Sequence, residues 1–305
     1  MEWFNPNAHY DFMGWRKFNA IFSLILILVS LLGLGVKGLN WGLDFTGGTQ
    51  IEISFPENAN IELIRNQLKA QNFKEAQVMA YGNSHDVLVS LASDANVDVN
   101  QLRFQFKNMF PDAQIQQVNY IGPQVGSELA TKGIIGVIVA VLATMVYIAI
   151  RFEYRLAVSS AIALIHDPML ILGVFAWLGI EFDLKALAAV LAVIGYSLND
   201  TIVVFDRVRE NFLKVRRTDS VGIMNLSINQ TLSRTIMTSF LTLSVVLALL
   251  FLGGESLRGF SLALSIGIII GTYSSIYVAG SLAIWMGLSK KDFLPKVKAD
   301  VSNEP

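Results

Sequence analysis

The chain has 305 residues, of which 53% are hydrophobic and 15% charged, with a net charge of −1 and a mean hydropathy of +0.51. Such a chain is too apolar and too sparsely charged for an ordinary water-soluble protein, and its near-neutral charge argues against nucleic acid as a partner. It has no cysteine, which excludes disulfides and thiolate-held metal.

Segment 1–18 ends on Arg16 and Lys17, directly before an apolar run at 19–39. No small-x-small cleavage pattern precedes Trp41, so this run is read as a retained anchor rather than a signal peptide. Residues 40–130 have a different composition and periodicity. Thr49, Ile51, Ile53 and Phe55 alternate with Gln50, Glu52 and Ser54, the period of a half-buried strand, which Pro56 and Asn58 then break. Ile61, Ile64 and Leu68 follow at helical spacing. Residues 77–81 and 85–91 read as strands about Gly82-Asn83; Val99, Leu102, Phe106 and Met109 mark a second helix; and 113–121 closes the series as a strand. This order is the split βαβ pattern and predicts a small ferredoxin-like α+β domain. His85-Asp86 has no Ser or Cys nucleophile nearby and reads as a solvated turn. Gly122-Pro123 and Gly126 lie just before the next span, as either a hinge or a tight turn.

Five further apolar runs, 133–150, 156–180, 184–205, 235–253 and 260–288, are long enough to cross about 30 Å of hydrocarbon as helices rising about 1.5 Å per residue. With 19–39 they predict a six-span bundle, with 206–232 as an amphipathic loop and 289–305 as a tail. Basic residues collect on alternate sides: Arg16 and Lys17; Arg151 and Arg155; Arg207, Arg209, Lys214, Arg216 and Arg217; Lys290, Lys291, Lys296 and Lys298. The loops between, 179–183 and 254–259, hold only Arg258. By the positive-inside rule both termini are cytoplasmic and 40–130 lies outside. The basic stretch 207–217 reads as a solvated topology determinant along the membrane face, where a partner loop or anionic lipid is the alternative reading.

Ionisable residues within spans cost about 2.5–3.5 kcal/mol at a helix centre and usually face protein or water, so they are the chain's most informative positions. Asp200 lies in the fourth span with Tyr196 and Ser197 on its helical face and Asn199 beside it, and Ala188, Ala192 and Gly195 form a small-residue seam for close packing in the bundle centre. Arg234 lies near one end of the fifth span, with Thr231 and Thr238 on its face, and antiparallel helices let Asp200 and Arg234 share a depth. The chemical reading is a carboxyl group that takes up and releases protons against a guanidinium. The plainer alternative is a snorkelling arginine and a structural aspartate. His166-Asp167-Pro168, about mid-way along the third span, reads either as part of a proton path or as a hydrogen-bonded pair that fixes helix packing. Gly267-x-x-x-Gly271 with Ser261, Ser265 and Thr272 reads as a packing face. No nucleophile, phosphate loop or metal cluster is visible, so an enzyme is the least favoured class.

Taken together, these segments carry a family resemblance. Gly42-Leu43-Asp44-Phe45-Thr46-Gly47-Gly48-Thr49 after the first span resembles the hallmark motif of the SecD/SecF family of protein-export membrane proteins, in the RND superfamily. His166-Asp167-Pro168, the run from Ala188-Ala189 through Gly195-Tyr196-Ser197-Leu198-Asn199-Asp200-Thr201, Asp206-Arg207-Val208-Arg209-Glu210-Asn211 and Ser233-Arg234-Thr235 resemble the SecF branch. The single small outside domain agrees. The resemblance implies a bacterial inner-membrane subunit that pairs with SecD, meets the SecYEG translocon, with YajC and YidC as further partners, and uses proton flow to help draw unfolded exported chains outward. It implies proton movement at Asp200 and Arg234, a turn into the outside domain shaped by Asp44, Gly47 and Gly48, and no cofactor. An RND-type exporter of small molecules or lipids would normally carry two such halves in one chain, and a transport-inactive insertion scaffold is the other alternative.

Overall fold

A computed structural model describes residues 9–71, 73, 76–91, 99–215 and 219–294. Arg216, Arg217, Lys296 and Lys298, counted among the basic loop residues above, lie outside the described residues. In chain order the elements begin with α1 (Arg16–Val36), β1 (Asn40–Trp41), α2 (Leu43–Thr46), β2 (Gly48–Ser54), α3 (Ile61–Ala70), β3 (Gln77–Tyr81) and β4 (Asn83–Leu91). There follow α4 (Val99–Met109), β5 (Gln114–Ile121), α5 (Pro123–Arg151), α6 (Tyr154–Leu178), β6 (Glu181–Phe182), α7 (Leu184–Lys214), α8 (Ser220–Leu252) and α9 (Arg258–Tyr273). A π-helical segment, Ser274–Ala279, joins α9 to α10 (Gly280–Trp285). Six helical segments are long and apolar enough to cross a membrane: α1, α5, α6, α7, α8 and the composite α9–α10.

The α+β domain is the one the alternation predicts. Its antiparallel sheet has the order β3-β4-β2-β5. Ile51, Ile53, Val87 and Val89 point to one face, where Ile64 and Leu68 of α3 and Leu102 and Phe106 of α4 cover them. Asn60 caps α3 by accepting a hydrogen bond from the Leu63 amide at 3.2 Å. His85 is exposed near the start of β4, on the strand rather than in the turn before it, and its amide and that of Asp86 both bond to the Asn83 side chain.

The helices run further than the apolar runs. α5 starts at Pro123, α7 continues to Lys214 and α8 starts at Ser220, so 206–214 and 220–232 are helical rather than a loop. The apolar criterion finds only the stretch that meets lipid, whereas a helix continues wherever a neighbour covers its backbone. Here Asn211 donates to Ser227 Oγ at 2.8 Å and to Gln230 Oε1 at 2.9 Å, and Phe212, Ile223 and Met224 are fully buried between the two arms. Among the described residues the basic groups here are paired: Arg207 and Lys214 with Glu210, Arg209 with Glu153 between α5 and α6, and Arg151 at the end of α5 with Asp206.

A parallel two-residue pairing of β1 with β6, which nothing in the sequence announces, ties the exit of α1 to the loop before α7. Around it Trp41, Phe45, Phe175 and Phe182 pack with ring centroids 5.6–6.2 Å apart, edge to face except for the stacked Phe45 and Phe182. Gly47 and Gly48 adopt φ of +65° and +132°. A Cβ at Gly48 would lie 2.4 Å from the Leu91 carbonyl, and one at Gly126 would lie 2.7 Å from the Gly47 amide nitrogen. Gly126 sits inside the first turns of α5, so its observed job is close approach to this turn.

Candidate functional site

The turn at the domain root is bonded directly to the fourth span. Asp44 Oδ2 accepts from the Leu184 amide at 3.0 Å, and Asp183 Oδ1 accepts from the Ala186 amide at 2.7 Å, so two carboxylates hold the first turn of α7. Glu181 accepts from Gln50 of β2, linking the sheet to the same loop. Burial pushes Glu181 and Asp183 above the ordinary carboxylate range, outweighing their hydrogen bonds from Leu43 and Gln50 and from Ala186. Sequence reading assigns Asp44, Gly47 and Gly48 to the turn alone; the clamp on α7 and the part of Glu181 were missed, since no periodicity marks contacts between distant loops.

Within the bundle, α7 packs against α6, α8 and α9. Its buried face carries Ala189, Val193, Ser197 and Asp200. Gly267 lies so close to Val193 that a Cβ would come within 2.1 Å of its side chain, and a Cβ at Gly271 would meet Ser197 at 3.0 Å. The glycine pair on the sixth span is therefore a packing face, as expected. Ala188, Ala192 and Gly195 do not line the bundle centre: all three, with Asn199, are exposed on the opposite face of α7. The helical period places residues 188, 192, 195 and 199 about half a turn from 193, 197 and 200, and the larger apolar face packs inward in this chain.

Asp200 is 2% exposed, and its Oδ2 has no hydrogen-bond partner among the described residues. Ser239 and Arg234 are its polar neighbours on α8, and Ser239 Oγ bonds to Thr272 at 2.7 Å. Arg234 is exposed and forms no ion pair or side-chain hydrogen bond among the described residues. Counted from the helix ends nearer the α+β domain, Asp200 lies about 24 Å and Arg234 about 27 Å along their antiparallel helices, at about 1.5 Å per residue. The two share a depth, although α8 extends well beyond Arg234. The Tyr196 hydroxyl and Thr235 Oγ1 are further buried polar atoms without a partner among the described residues. Thr238 bonds back to the carbonyls of Arg234 and Thr235.

His166 and Asp167 are 3% and 1% exposed and form the best-connected polar group in the bundle. His166 Nδ1 and Asp167 Oδ1 are 2.8 Å apart. Asp167 Oδ2 accepts from Ser197 on α7 and, at 2.8 Å, from Ser274 at the start of the π-helical segment. The structure thus gives Ser197 to Asp167 rather than to Asp200. Ser23, Tyr273, Ser274 and Ser239 went unnoticed in the sequence; a lone serine in an apolar run is a weak signal, and only the packing shows what it faces.

Six spans, one ferredoxin-like domain after the first, and ionisable groups buried at the bundle centre define a multi-pass membrane protein. The family model for the C-terminal part of protein export membrane proteins SecD/SecF matches residues 101–289, and that for the SecD/SecF GG motif matches 32–55. The chain is 46% identical to the protein translocase subunit SecF of Vibrio alginolyticus, over 93% of this chain and 92% of the relative, and 43% identical to that of Pseudomonas aeruginosa, over 97% of both. It superposes on the crystal structure of SecDF, a translocon-associated membrane protein from Thermus thermophilus, with a TM-score of 0.85 and 36% identity, covering 93% of this chain. Against a SecDF structure in a super-membrane-facing form the TM-score is 0.65. The chain spans 39% of the length of each SecDF chain. It belongs to the SecF family of protein-export membrane proteins.

Proposed function

We propose that the chain is a non-enzymatic subunit of the bacterial protein-export machinery, in which proton movement at Asp200 and Arg234 drives a change of shape that helps draw exported polypeptides through the SecYEG translocon. The observation that carries this reading is Asp200: a buried carboxyl group whose Oδ2 has no hydrogen-bond partner among the described residues, at the depth of an arginine on the neighbouring span. An ionised carboxylate in that position gains from the guanidinium, and a neutral one avoids the cost of desolvation, which are the two terms a group that takes up and releases a proton must trade. Tyr196 and Thr238, on the helical faces of Asp200 and Arg234, are proposed to complete the path, with Ser197 linking it to the third span. A membrane potential contributes about 2.3 kcal/mol per charge per 100 mV.

The clamp at the domain root gives such a change an outlet. α7 carries Asp200, and Asp44 and Asp183 hold its first turn against the root of the α+β domain, so a shift of α7 moves that root directly.

The orientation supported by the basic loops places both termini in the cytoplasm and the α+β domain outside the inner membrane. SecD is the proposed obligate partner: Ala188, Ala192, Gly195 and Asn199 on α7 and Arg234 on α8 leave small and polar groups exposed at membrane depth, which another membrane subunit would cover. YajC, YidC and membrane lipids are further proposed contacts.

The test is export of a slow secretory substrate in cells carrying Asp200→Asn, with membrane level and SecD co-purification measured alongside, with and without an uncoupler. Export at the uncoupled level with normal assembly supports the proposal. Unchanged export overturns it and moves the coupling to SecD or to His166-Asp167.

A further inference from the structure

Span one is held to the bundle centre by a hydrogen-bond chain whose hydrogens can be counted. His166 Nε2 lies 3.3 Å from Ser23 Oγ on α1, Ser23 Oγ lies 3.3 Å from the Tyr273 hydroxyl, and the Tyr273 hydroxyl donates to the Asn19 carbonyl at 2.8 Å. Nδ1 faces a carboxylate oxygen of Asp167, so its hydrogen points there. Tyr273 spends its single hydrogen on Asn19. Ser23 must then supply the hydrogen for its contact with Tyr273, and it has only one. The contact between Ser23 and His166 is complete only when Nε2 also carries a hydrogen. With Nε2 bare, Ser23 can satisfy His166 or Tyr273 but not both.

We propose that His166, paired with Asp167, is a second proton-binding site of the bundle, and that span one reads its state through Ser23 and Tyr273. In the uptake step a proton from water forms a bond with the Nε2 lone pair, and the Ser23 hydroxyl turns from Nε2 to Tyr273. On release the Nε2–H bond breaks, the proton returns to water, and Ser23 turns back. Asp167 stays fixed throughout, because Ser197 and Ser274 already hold its other oxygen.

The groups that face this site come from three other spans. Among the described residues, α1 brings only the Ser23 hydroxyl to His166, and span six brings Ser274 and, through Ser23, Tyr273. α7 brings Ser197, with Asp200 the next ionisable side chain one turn along, and α5 and α10 bring no hydrogen bond or ion pair. Ser274 opens the π-helical segment, a local widening common at functional sites. Span one is the reporter with the most direct route outward, since it leads into β1 and the domain root. The inference does not depend on the role given to Asp200.

The sequence has three histidines, His9, His85 and His166. In the full chain in lipid nanodiscs, His9→Gln with His85→Gln leaves His166 as the single imidazole for nitrogen NMR between about pH 5 and pH 9. The expected result is a titrating signal that survives Asp200→Asn. Ser23→Ala is expected to move its midpoint by about half to one pH unit, the size of one hydrogen bond, and Asp167→Asn to move it further. Ser23→Ala removes only a hydroxyl, so the test stands even where Asp167→Asn fails to assemble. A signal fixed in one state across the range, a midpoint indifferent to Ser23→Ala, or loss of titration with Asp200→Asn each overturns the proposal.

Discussion

The α+β domain and the bundle bury opposite kinds of side chain. Among the described residues, Thr49 is the sole buried polar side chain between β2 and β5, whereas the bundle buries His166, Asp167, Asp200, Asn211 and more than a dozen serines and threonines. Water surrounds the domain, so burying apolar area stabilises it. Lipid is as apolar as leucine, so the spans turn Phe18, Ile21, Leu142 and Phe251 outward and keep small and polar groups for one another. In the domain the hydrophobic pattern identifies the core, and in the bundle the exceptions to that pattern do.

The contrast can be broken from either side. Phe106→Ala removes the largest fully buried ring of the domain and should cost about 3–5 kcal/mol, read as loss of protease resistance between β2 and β5 while the bundle stays assembled. Asp167→Leu, in the bundle, should cost about as much, since it leaves His166 and two serines without their acceptor; thermal unfolding in detergent measures it. A bundle that tolerates Asp167→Leu as easily as a surface change would remove the distinction drawn here. Gly48→Ala should cost about 2–4 kcal/mol through its positive φ and the Leu91 carbonyl, and should loosen the domain root in hydrogen exchange. Asp44→Ala should cost about 1 kcal/mol by uncapping α7, seen as faster exchange of the Leu184 amide.

The smallest effect concerns acidity at the boundary between the two regions. Glu181 and Asp183 are raised by burial, so the folded protein binds their protons more tightly than the unfolded chain does. Their contribution is fully present below the unfolded values, near pH 4, and is lost as pH rises through the raised ones. The thermal midpoint of domain docking should fall over that window, and Glu181→Gln should flatten the fall.

Much of this was legible in the chain because period and charge are local properties. The alternation of Ile51 and Ile53 with Gln50 and Glu52 is enough to place β2 and choose its inner face. The six apolar runs are enough to count the spans, and the residues from Gly42 to Thr49, with Asp200, Arg234 and His166-Asp167, are enough to point to the family and to the groups worth testing. The extent of the helices was not legible: 206–232 lacks a lipid-facing stripe, and its helical state depends on Asn211 meeting Ser227 and Gln230 across the hairpin.

Tertiary structure alone decided which face of α7 turns inward, because alanine seams and larger apolar faces are equally compatible with a membrane helix. It placed Ser197 on Asp167, brought Ser23 of the first span to His166 of the third, and set Asp44 on the amide of Leu184. Each of these bonds joins residues 30 to 143 positions apart. A hydrogen bond depends on direction and distance between groups that the sequence leaves far apart, so it is fixed only when the helices have packed.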